Sequence, residues 1–102
     1  MIDLLEKNRQ AIIQLCRECR VQRLDVFGSA ARSDFDVTGS DIDFFYEFDP
    51  ADNKGLADRF FALQQGLERL LGKAVDLVSF TDVKNPYFLR SAIRDRLELY
   101  AA

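Results

Sequence analysis

No histidine occurs anywhere in the chain. That absence removes Ser-His-Asp and Cys-His nucleophilic chemistry and most transition-metal sites, leaving carboxylates as the main chemical resource. Cysteine is scarce too, with only Cys16 and Cys19 present. A structural zinc needs four ligands, so the pair reads as small apolar residues on the buried stripe of a helix. An excess of basic charge is also lacking. Fourteen lysines and arginines stand against 17 acids, a formal net charge of −3. That balance argues against a domain built to coat nucleic acid, and no direct nucleic-acid binding is expected. No apolar run approaches membrane-spanning length, and the opening Met-Ile-Asp-Leu-Leu-Glu-Lys carries acids where a secretory peptide would be basic. The expectation is a cytoplasmic protein with no membrane association.

What is present is enough for one core. The apolar share is 48 % over 102 residues, and no internal repeat, low-complexity segment or linker divides them. We read residues 1–102 as a single domain. Apolar spacing at Leu5, Ile12, Leu15, Cys16 and Cys19 predicts one amphipathic helix over roughly 2–19. Val21–Phe27 predicts a strand that runs into a Gly28-Ser29 turn, with a short helix from Ala30 to Arg32 and a loop over Ser33–Ser40. Ile42–Phe48 is the strongest strand signal, followed by a helix with Leu56, Phe60, Leu63, Leu67, Leu70 and Leu71 on its stripe and Gly72 to end it. Ala74–Phe80 predicts a short buried strand, Asn85-Pro86 the start of a helix to about Arg94, and Leu97–Tyr100 an edge strand. The order implies an α+β fold, a small mixed sheet flanked by helices.

Three features carry chemistry. Asp41 and Asp43 lie two apart on a strand, so their carboxylates share a face. Such a pair suits a hard divalent ion, though by itself it is more often two acids on the solvent face of an edge strand. Asp76 interrupts the apolar run Ala74-Val75-Asp76-Leu77-Val78. Alone it could pair with an arginine or lysine; beside Ile42–Phe48 it becomes a third ligand. Gly28-Ser29, at a strand-to-helix turn, aims backbone N–H groups outward as a phosphate site requires, and no Walker-type loop offers an alternative. Arg32 lies one helical turn on and could meet a triphosphate tail or simply be exposed. Phe35, Phe80, Tyr87 and Phe88 are either an apolar docking patch or core.

The run Phe27-Gly-Ser-Ala-Ala-Arg-Ser-Asp, then Gly-Ser-Asp-Ile-Asp-Phe-Phe, then Val-Asp-Leu-Val at 75–78, resembles the MNT group of the DNA-polymerase-β-like nucleotidyltransferases. The resemblance covers almost the whole chain, and its spacing from Gly-Ser to Asp-x-Asp is one residue longer than the family's usual. It implies the minimal nucleotidyltransferase fold, with Gly28 and Ser29 on the ATP phosphates. It places Asp41 and Asp43 on two metal ions, expected to be Mg²⁺, and Asp76 on the catalytic metal, helping to activate the attacking hydroxyl. It further implies an antitoxin whose partner is a HEPN-domain toxin, and transfer of AMP from ATP onto a tyrosine of that partner. Two other functions compete with this one. A non-catalytic antitoxin would neutralise its partner by binding alone, but has no physical need for three converging charges. An RNA- or drug-modifying transferase would want a second domain and a less acidic balance. Either a homodimer or a mixed complex with the partner is compatible with so small a core.

Overall fold

The computed structural model describes residues 1–32, 41–79, 90 and 94–102. Eight elements follow in order: α1 (Asp3–Lys7), α2 (Arg9–Glu18), β1 (Val21–Phe27), α3 (Ser29–Arg32), β2 (Ile42–Phe48), α4 (Leu56–Leu71), β3 (Val75–Ser79) and β4 (Leu97–Ala101). The expected first helix is divided in two. Asn8 leaves helical geometry at φ −101°, ψ 8°, and its side-chain amide donates to the Leu4 carbonyl at 2.8 Å. A short amide side chain competes with the helical ladder in this way, and apolar periodicity does not register it. The stripe itself survives the break, since Leu5, Ile12 and Cys16 are all fully buried.

The four strands lie in the order β3-β2-β1-β4. β1 runs antiparallel to both β2 and β4, while β2 and β3 are parallel, joined through α4. Alternation along the strands gives the sheet two different faces. One face, with Leu24, Val26, Ile42 and Phe44, packs against Leu5, Ile12 and Cys16 of the first helices and Leu63 and Leu67 of α4. This is the main core. On the other face Phe27 stacks on Phe45 with ring centroids 4.1 Å apart, and Val78 packs beside them. That second face carries all the strand acids discussed below.

α4 is fastened at both ends. Gly72 closes it in the left-handed conformation at φ 67°, as the sequence predicts. Near its start Arg59, only 7 % exposed, donates Nε to the Cys19 carbonyl at 3.0 Å and Nη2 to that of Arg20 at 2.8 Å. Its Nη1 donates to the carbonyls of Asp52 at 2.9 Å and Lys54 at 3.1 Å, and the guanidinium lies over the Phe48 ring at 4.4 Å. One cation thus joins the α2–β1 turn to the β2–α4 connection. The expected loop over Ser33–Ser40, the Asn85-Pro86 helix start, and Phe35, Phe80, Tyr87 and Phe88 lie outside the described residues.

Candidate active site

β1 ends at Phe27, and Gly28 turns the chain into α3 at φ 73°, a conformation that favours glycine. The Gly28 carbonyl accepts the N–H groups of Ala31 at 3.1 Å and Arg32 at 3.2 Å. A Cβ on Gly28 would stand 3.0 Å from Oδ2 of Asp43. The turn and the acid are therefore direct neighbours, with no room for a side chain between them.

Strand pairing brings the acids together. Asp43 is opposite Phe27 on β1 and opposite Asp76 on β3. In-register residues of adjacent strands point to the same face about 4.8 Å apart, which sets the Asp43 and Asp76 carboxyl groups side by side. Partial burial first, then the neighbouring carboxyls of Asp76 and Asp41, push the Asp43 carboxyl up from 3.8 to about 6. Asp41 stands exposed just before β2, close enough to act on Asp43 through its charge. Among the described residues, no lysine or arginine pairs with any of these three aspartates. Nor, among the described residues, are three ligating side chains already drawn into one cluster. The donor set nevertheless fits a hard divalent cation, because it consists of carboxylate oxygens alone.

Of the residues singled out in the sequence, Gly28 lies against Asp43 and Asp43 beside Asp76, Ser29 opens α3 next to the Gly28 turn, and Asp41 acts on Asp43 through its charge. Arg32 Nη1 donates to Oδ2 of Asp95 at 2.8 Å, just ahead of β4. One charged group escaped the sequence reading. Asp25, 1 % exposed, lies on the same face as Asp43 and accepts from Arg23 Nε at 3.1 and 3.2 Å, with Arg96 Nε at 2.7 Å. Its signal, an acid inside the apolar run Leu24-Asp25-Val26, is the one that drew notice to Asp76.

A family model described as nucleotidyltransferase domain matches residues 8–99. A protein of Methanocaldococcus jannaschii, provisionally named protein adenylyltransferase MJ0128, is 34 % identical over 93 residues, which cover 91 % of this chain and 88 % of that one. The fold is shared with a solved minimal nucleotidyltransferase at a TM-score of 0.74 and 32 % identity, over 94 % of this chain and 95 % of the other. A chain of a toxin–antitoxin crystal structure with AMP-PNP superimposes at a TM-score of 0.68 and 26 % identity, over 93 % of this chain and 74 % of that one. With the expected α+β fold in place and the acids beside the Gly-Ser turn, the chain belongs to the nucleotidyltransferase domain family, as a nucleotidyltransferase of the minimal, MNT type.

Proposed function

We propose that the protein transfers AMP from ATP to a tyrosine hydroxyl of a HEPN-domain toxin, with divalent metal, and so acts as the antitoxin of that pair. The observation that carries the chemistry is Asp43 set in register with Asp76 against the Gly28 backbone. Two neighbouring carboxylates without a basic partner are unstable as bare charges, and polyphosphate with its metal is what such an arrangement accommodates. Asp41, Asp43 and Asp76 would hold Mg²⁺, which supplies charge neutralisation for the phosphates and acidifies the acceptor hydroxyl. Gly28 and Ser29 would receive the triphosphate through backbone N–H groups and the serine hydroxyl. Asp76, on the edge strand of the row, would orient the acceptor hydroxyl or take its proton. The phenolic oxygen bonds the α-phosphorus, the bond from that phosphorus to the α–β bridging oxygen breaks, and pyrophosphate leaves with the electron pair.

The provisional name of the relative supports AMP transfer to protein, and the toxin–antitoxin neighbour with AMP-PNP supports ATP and a toxin partner. The sequence resemblance supplies the toxin's class. Intact-mass measurement of the toxin after incubation with this protein, ATP and Mg²⁺ tests the proposal. An AMP-sized gain that disappears with Asp43→Asn and with Asp76→Asn is the expected result. Equal neutralisation by wild type and both variants, with no gain in mass, refutes catalysis as the mechanism.

A further inference from the structure

The end of β2 remote from Asp43 carries a second concave surface. A cavity of about 250 Å³ lies there, with Tyr46, Phe48, Pro50 and Leu56 as apolar lining and Glu47 and Asp49 as its acids. Among the described residues, no lysine or arginine lines it. Glu47 is set in register with Arg23 of β1, which would pair with it across the strands, yet Arg23 Nε is engaged by Asp25 at 3.1 Å. Among the described residues, no ion pair engages Glu47 or Asp49. The arginines of the neighbouring turns are committed too, Arg59 to four backbone carbonyls and Arg20 to Asp52 and the Lys54 carbonyl. Apolar surface continues beyond the cavity. Tyr46 meets Phe60 edge-on at 5.5 Å, and Phe60 meets Phe61 at 5.6 Å. Leu56 is 42 % exposed and Phe61 55 %. Asp58, three residues before Phe61 and so its neighbour on the α4 surface, is a further exposed acid.

We infer that this surface docks a protein segment in which a lysine or arginine stands among apolar residues. Such a side chain matches both kinds of lining, because its aliphatic stem packs on apolar atoms while its charged head meets the two carboxylates. The cavity is smaller than the roughly 300–1,000 Å³ of small-molecule sites, and it is of a size for one side chain. A free amine filling it would leave Leu56, Phe60 and Phe61 uncovered, whereas a protein segment covers them with its own apolar residues. Acids at Glu47, Asp49 and Asp58 select a basic segment over an acidic one, by attraction to the first and repulsion of the second. The inference does not rest on AMP transfer. Glu47 and Phe48 lie four and five residues along β2 from Asp43, about 13 to 17 Å.

Amide NMR of the full chain with a synthetic, acetylated peptide of leucine and lysine tests the assignment, beside the same peptide with glutamate for lysine and beside spermidine. The lysine peptide is expected to shift Glu47, Phe48, Asn53, Leu56 and Phe61 saturably, and the glutamate peptide to shift none of them. Glu47→Gln with Asp49→Asn is expected to weaken the lysine peptide roughly fivefold, the scale of two exposed charge pairs. Asp3→Asn with Glu18→Gln, an equal change of net charge on the first helices, is expected to alter it by less than about twofold. Phe61→Ser, at an exposed position, is expected to weaken it as much as the cavity pair does. Shifts that fall elsewhere or do not saturate, or equal weakening by the two charge-neutralised pairs, overturn the docking site. Spermidine that binds the same residues as tightly as the peptide, in wild type and Phe61→Ser alike, assigns the cavity to a free amine. Concentration-dependent shifts there without peptide assign it to a second copy. Either of these results also overturns the inference.

Discussion

Asp43 is held at a cost to stability that its chemistry explains. Its carboxyl titrates near 6 in the folded chain against 3.8 when unperturbed, because burial and the charges of Asp76 and Asp41 disfavour ionisation. Between those two values the folded chain binds more protons than the unfolded one, so its stability falls as pH rises through the window. Metal-free Asp43→Asn is therefore expected to be more stable than wild type at pH 8 by about 1 kcal/mol, discounted for solvent at a half-buried group. The gain should vanish near pH 3.5, and paired urea titrations at the two pH values check it. Gly28 stands beside this acid under a different constraint. Gly28→Ala puts a methyl group 3.0 Å from the Asp43 carboxylate at φ 73°. The strain is expected to cost about 1 kcal/mol in thermal unfolding, and AMP transfer should fall by more than the loss of folded protein accounts for.

At the scale of elements, one crossover sets the acids side by side, and a buried cation fastens its helix. The passage from β2 through α4 to β3 is what makes a parallel pair possible, and only a parallel pair in this register sets Asp43 beside Asp76. Arg59 fastens the start of α4 to four backbone carbonyls. Arg59→Leu leaves those acceptors without their donor, at an expected cost of roughly 3 kcal/mol in the urea midpoint. Arg59→Lys is expected to recover only a small part, because a single ammonium lacks the fork that reaches both loops.

Across the whole molecule, stability and chemistry occupy opposite faces of one sheet. The helices cover Leu24, Val26, Ile42 and Phe44, leaving Asp25, Asp43 and Asp76 to the other side. The first face can supply the folding free energy while the second carries a repulsive pair that would be costly inside a core. On the proposed reading, Mg²⁺ binding only to the folded chain would add stability by mass action, about 2.7 kcal/mol at a hundredfold excess over its dissociation constant. Melting curves should rise with Mg²⁺ for wild type and stay flat for a chain carrying both Asp43→Asn and Asp76→Asn.

The order of elements was legible because apolar period reports local geometry, and the ends of β2 and α4 fall where alternation stops and Gly72 turns the chain. The break at Asn8 was not, since one side-chain hydrogen bond to Leu4 leaves the period intact. Residue type and spacing by themselves left carboxylates as the main chemical resource and singled out Asp41, Asp43 and Asp76 as candidates. Only the tertiary structure decided that Asp43 is paired with Asp76, that Gly28 lies against Asp43, and that Arg32 pairs with Asp95. Strand register and ion pairing join residues far apart in the chain, and no local pattern encodes which distant partner each will meet.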